Sequence, residues 1–131
     1  MKELNRDIET RDKLIYRKYR PNFYTQGGGI RHFTDLDAKT LQELVDMNFA
    51  DPEDKQNDSP TLGEILEFLK KYPAYTAHGY SVSAERPDYR VSIEGVEKGI
   101  PSESVQEFQD YMALFRNADE FSNTTMYCWF D

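Results

Sequence analysis

Few residues of this chain are suited to acid–base, metal or nucleophilic chemistry, and their spacing limits what each can do. The two histidines, His32 and His78, are far apart, and the single cysteine, Cys128, cannot supply the common closed zinc sets within one chain. A neutral His78 can serve as a base near physiological pH, but no Ser, Cys, Asp or Glu is set beside it as nucleophile or orienting group. Cys128 stands in an apolar run, where an inert packed thiol is expected. Gly27, Gly28 and Gly29 precede Arg31 and His32, so their backbone amides offer an anion nest. The run matches neither G-x-x-x-x-G-K-[ST] nor G-x-G-x-x-G, and a flexible loop is the expectation.

Carboxylates cluster at Asp35/Asp37 and at Asp51/Glu53/Asp54/Asp58. Counted as an EF-hand from Asp51, the second cluster would place Gln56 where glycine is needed and Leu62 where the bidentate glutamate is needed. A solvated acidic loop is therefore expected, and no catalytic residue, metal ligand or cofactor motif is assigned.

Charge offers a different kind of chemistry. Residues 1–33 hold eight Lys or Arg against four acids, a net of +4, whereas the remainder holds eight against twenty, a net of −12, within a total of −8. In the basic segment Lys13, Arg17, Lys18 and Arg20 alternate with Tyr16 and Tyr19, followed by Phe23 and Tyr24. Cations interleaved with rings can neutralise phosphate and stack on bases, although the acidic remainder repels a long nucleic acid. The competing reading is a terminal helix whose charges face water or the domain's own acidic surface. Candidate partner-binding residues are thus Lys13, Tyr16, Arg17, Lys18, Tyr19 and Arg20, together with Asp51, Glu53, Asp54 and Asp58.

The elements that position these residues are read from periodicity. Residues 75–84 and 89–96 form a β-hairpin around Glu85-Arg86-Pro87-Asp88, with Val82 opposite Val91, Tyr80 opposite Ile93 and His78 opposite Gly95. That register places Ser81, Ser83, Arg90, Ser92 and Glu94 on a solvent face. His78 and Tyr80 are a candidate ligand pocket in the alternative, because Gly95 leaves room opposite His78, while a partly buried histidine with one hydrogen bond is the expectation. Residues 3–19 read as a helix ended by Pro21, with a strand over Leu14–Tyr19 as the alternative, and Arg20–Phe33 as irregular. A helix capped by Asp37 runs to Asn48 with Leu41, Leu44 and Val45 inward. A second begins at the capping box Thr61/Glu64, buries Leu62, Ile65, Leu66 and Leu69, and stops at Pro73. A third, capped by Ser102, turns Val105, Phe108, Met112 and Phe115 inward, widened by Tyr111 and Leu114. Residues 125–130 form a last strand, apolar on both faces, expected to join the hairpin.

The fold expected is α+β: a small antiparallel sheet of the hairpin and the C-terminal strand, covered by about three helices, with a further helix at the N-terminus. At 131 residues one domain is expected, with residues 1–33 as an arm in the alternative. No run approaches the roughly 20 apolar residues that span a bilayer, the start carries no signal-peptide core, and a cytoplasmic location is expected. The functional expectation is an accessory or regulatory protein acting by protein–protein contact or self-association, without catalysis. One alternative is an acidic decoy for a basic nucleic-acid-binding partner, its complementary charge taking the place of the nucleic acid. Another is a small-molecule-binding domain or enzyme using the His78/Tyr80 pocket.

Overall fold

The computed structural model describes residues 3–131. In chain order it has α1 (Ile8–Tyr16), β1 (Ile30–Leu36), α2 (Ala38–Asp46), α3 (Leu62–Lys71), β2 (Thr76–Val82), β3 (Val91–Glu97), α4 (Val105–Phe115), β4 (Glu120–Ser122) and β5 (Tyr127–Trp129). β1, β2 and β3 make an antiparallel sheet in that order, and β4 pairs with β5. The α+β class is as the residue pattern implies, with four helices beside small antiparallel sheets.

Local rules account for the helix starts. Asp37 accepts the Thr40 amide at 2.8 Å at the head of α2, and Thr61 and Glu64 form the reciprocal capping box of α3. Leu41 and Leu44 of α2 and Leu62, Ile65, Leu66 and Leu69 of α3 are buried as expected, while Val45 is half-buried. α1 is shorter than residues 3–19. Asp7 caps it through Thr10, and Arg17 ends it in the left-handed region at φ 66°, before Pro21 is reached. Glu9 and Lys13 pair at 3.2 Å, whereas Asp7 is taken by the cap and Arg11 turns inward.

Three features depart from the expectation, each for a tertiary reason. The sheet's third strand is β1, drawn from a stretch read partly as irregular, and not the C-terminal strand. β1 is itself broken: Asp35 has φ 60° and the register shifts between Phe33 and Leu36. β5 instead runs along the outer edge of β3, held by Phe130 N donating to Glu94 O at 2.7 Å and by the amides of Lys98 and Gly99 donating to Thr125 O.

The hairpin also contains a bulge. His78 faces Gly95 as expected, but beyond it Glu94 is skipped, so Gly79 faces Ile93, Tyr80 faces Ser92 and Ser81 faces Val91. One extra residue exchanges the faces of β3. Val91 and Ile93 join Ala77, Gly79, Phe33 and Leu36 on the core side, and Tyr80 and Val82 take the opposite side. The expected solvent face is not one: Ser81, Ser92 and Glu94 are all buried.

α4 is rotated relative to its expected phase. Ser104, not Ser102, caps it, accepting from the Glu107 amide at 3.0 Å. Tyr111 and Phe115 are buried as expected, whereas Val105 and Phe108 are 74% and 38% exposed. Glu107 occupies the inward position instead, accepting from Tyr75 OH at 2.7 Å and from Lys98 Nζ at 2.9 Å.

Candidate functional site

The basic segment proves largely structural at its centre. Arg11 and Asp12 are fully buried and bonded at 2.9 Å, and Arg11 Nη1 donates to Val82 O at 2.8 Å. Tyr24 OH donates to Asp12 at 2.6 Å, and Tyr16 OH donates to Arg31 O at 2.9 Å. Burial is the leading cause that pushes Tyr16 up to about 12. Within residues 3–33, Arg11, Tyr16 and Tyr24 are therefore bonded to β2. Of the six basic-aromatic candidates, Lys13, Arg17, Lys18 and Arg20 remain exposed, Tyr19 packs edge-on to Phe23, and Tyr16 is committed to the fold.

The acidic loop is divided as well. Asp54 turns in and accepts from Ser92 Oγ at 3.2 Å, and burial, ahead of other causes, holds its carboxyl above the usual range. Glu53 and Asp58 stay exposed, and Asp51 accepts the Glu53 amide at 2.9 Å. Among the described residues no ion pair joins Lys13, Arg17, Lys18 or Arg20 to this loop, so the structure does not bring the two candidate sets together.

What the structure does bring together is the pair of histidines. A cleft of about 230 Å³ opens on the sheet face opposite the core and holds His32 and His78 with Asp35, Glu94, Glu97, Tyr127 and Trp129. The rings of His78 and Tyr127 stack at 5.1 Å with 8° between their planes. His78 Nε2 is 2.8 Å from Cys128 O; a carbonyl can only accept, so Nε2 carries the proton and Nδ1 is left as an acceptor. Burial, the leading cause, pushes His78 below the ordinary imidazole range, opposed by the Cys128 carbonyl and by Glu94 and Glu97. Glu94 is only 8% exposed. Its Oε2 accepts from Trp129 Nε1 at 3.3 Å, while Oε1 lies 3.6 Å from His32 Nδ1, beyond hydrogen-bond range.

Glycine makes this close packing possible. A Cβ on Gly95 would stand 1.9 Å from Cys128 O and 2.9 Å from His78 Cε1. The room expected opposite His78 is thus real, but it is filled by β5. Tyr80 does not line the cleft: its OH donates to Gln56 at 3.1 Å and accepts from Arg90 at 2.6 Å. That Glu94, Tyr127, Trp129 and His32 surround His78 escaped the sequence reading, because the bulge and the β5 edge contact that assemble them leave no local signal. Among the described residues no group of three or more His, Cys, Asp or Glu is arranged to hold a metal ion. Cys128 contributes its carbonyl alone; its thiol is buried and pushed up to about 12 by that burial.

A second concavity, of about 560 Å³, lies between α3 and α4. Phe68, Tyr72, Ala113 and Leu114 supply its apolar part, and Glu53, Glu64, Glu67 and Asp110 stand around it against one cation, Lys71. Asp110 accepts from Lys71 Nζ at 2.8 Å and from Tyr72 OH at 2.5 Å, and these bonds hold its carboxyl down to about 2. Of the remaining carboxylates, Glu67 pairs with Lys70 at 3.0 Å and Glu64 accepts the Thr61 amide at 2.9 Å, which leaves Glu53 without an ion pair among the described residues.

Comparison with protein-family models, curated proteins and solved structures finds no match.

Proposed function

We propose that this chain is an accessory or regulatory protein that acts by contact with another protein, receiving a basic amphipathic helix in the α3/α4 groove. The observation that carries this reading is the pairing of an apolar floor with four carboxylates against one lysine. Helix-in-groove recognition needs these two parts: an apolar trough for the i, i+3, i+4 anchors and rim charges opposite to those of the guest. α3 has 10 residues, so its wall is roughly 15 Å long at about 1.5 Å per residue, enough for nearly three turns of a guest helix. The groove walls are fixed by core contacts of Phe68, Tyr111 and Phe115, so no rearrangement is required to open it.

The test is fluorescence anisotropy with a labelled amphipathic helix built from Lys and Leu, and its Glu/Leu counterpart as control. Binding of the Lys/Leu helix alone is expected, weakening as salt rises from about 0.1 M to about 1 M, where the Debye length falls from about 10 Å to about 3 Å. Glu53→Lys and Glu67→Lys, both at exposed positions, are expected to weaken it further. Equal binding of both helices, or no effect of the two charge reversals, would sink the proposal.

A further inference from the structure

We infer that the cleft between His32 and His78 binds a guanidinium group. The inference is independent of the α3/α4 groove and uses other residues. It starts from Glu94, a carboxylate that is nine-tenths buried and, among the described residues, has no Lys or Arg partner. A charge withdrawn from water without a counter-ion is costly, and proteins normally pair it. The one group near Oε1 is the His32 ring, whose side chain is 73% exposed and 3.6 Å away. The free oxygen therefore faces the cleft with a partner still to be supplied.

The rest of the lining defines that partner. Among the polar atoms that line the cleft, Glu94 Oε1, His78 Nδ1 and the Glu97 carboxylate are free to accept, Asp35 accepts only from its neighbour Thr34 at 3.1 Å, and the Thr76 and Tyr127 hydroxyls can serve either way. The fixed donors, Trp129 Nε1 and His78 Nε2, are already spent on Glu94 and Cys128. A ligand that satisfies such a lining is a cation rich in N–H donors. The walls add flat π surfaces from Tyr127 and Trp129. A guanidinium presents five donors in a planar fork, stacks on aromatic faces and pairs bidentately with carboxylate, whereas an ammonium is a compact, strongly hydrated point charge. The volume of about 230 Å³ lies below the roughly 300–1,000 Å³ of cofactor-sized pockets, and suits a single side-chain-sized group. With His78 neutral, no fixed positive charge opposes entry.

Such a group can arrive on a free alkylguanidine or on an arginine of a protein. Trp129 is the chain's one tryptophan and touches Glu94, so its emission reports this cleft alone. Ethylguanidinium, N-acetylarginine amide, butylammonium and the neutral urea analogue N-acetylcitrulline amide would be titrated at millimolar concentration, by Trp129 emission and by calorimetry. Saturable binding of the two guanidinium probes is expected, with butylammonium weaker by about tenfold or more and the citrulline probe silent. Tighter binding of the arginine amide assigns a protein source; equal or tighter binding of ethylguanidinium assigns a free ligand. Glu94→Gln should abolish binding with the circular dichroism spectrum unchanged, and Glu97→Gln, at an exposed position, should weaken it without touching the fold. Absence of saturable binding by both methods, equal affinity for butylammonium, or unchanged affinity in Glu97→Gln together with any folded Glu94→Gln protein, would overturn the inference.

Discussion

Replacing Asp12 by alanine tests whether the N-terminal segment is part of the core. Arg11 is fully buried, donating from Nε to Asp12 at 2.9 Å, from Nη1 to Val82 O at 2.8 Å and from Nη2 to Tyr24 OH at 2.8 Å. Its guanidinium also lies 4.8 Å above the Tyr89 ring. Burial favours loss of its proton, but Asp12 and its neighbours outweigh that and hold it above the ordinary arginine value, so the cation persists. Removing Asp12 leaves a charged group inside the protein with only neutral partners. Breaking one side of a buried pair costs about 3–5 kcal/mol, a fifth or more of the roughly 5–15 kcal/mol that stabilises a domain. Urea unfolding followed by circular dichroism should show a lower midpoint at an unchanged slope. The double variant Arg11→Met with Asp12→Leu should recover most of the loss, because two apolar residues remove the uncompensated charge. A loss in Asp12→Ala below about 1 kcal/mol would mean that the segment behaves as a surface arm, and the reasoning would fail.

Gly95→Ala should destabilise by about 1–3 kcal/mol or more, since its Cβ would meet the Cys128 carbonyl at 1.9 Å and that atom belongs to the backbone; an unchanged urea midpoint would contradict the β5 docking described. Glu107 gives an acid-side signature. Burial raises its carboxyl, but bonds from Lys98 and Tyr75 prevail and hold it below its ordinary value of 4.5. Its contribution is therefore complete above pH 4.5 and is lost as pH falls through the depressed value. The advantage of the wild type over Glu107→Gln, measured by chemical denaturation, should be constant above that pH and shrink below it; an advantage growing toward acid would refute the assignment. Phe108→Ala should cost only about 1–2 kcal/mol, because Phe108 is 38% exposed, while Phe115→Ala, at a fully buried ring, should cost about 3–5 kcal/mol.

The features legible in the sequence are those decided within one turn of chain. The Asp37 cap and the Thr61/Glu64 box are local hydrogen bonds, and a residue pattern contains all of their partners. α4 shows where this stops. Its apolar residues cover a wide face: Tyr111 and Phe115 are inward in the expectation and in the structure alike, and which residues of the first turns join them is a choice the pattern leaves open. The choice is made by Glu107, whose partners Tyr75 and Lys98 come from before β2 and after β3. No periodicity within α4 carries that information.

The charge separation between the two parts of the chain behaves similarly. It is real in the composition, yet Arg11 is buried and paired with Asp12 in the interior, so part of the basic segment's charge never reaches a partner surface. The bulge at Glu94 has the widest consequence. Glu94 is polar in a strand that alternates well, and the simple alternation assigns it to water. Skipping it in the ladder instead sends Val91 and Ile93 to the core and leaves the glutamate under the edge of β5. The same displacement sets its carboxylate between His32 and Trp129. A strand irregularity that looks like a packing adjustment is thus what creates the one buried, incompletely paired charge of the cleft, and a residue inserted to restore or remove the bulge should alter the sheet register and the cleft together.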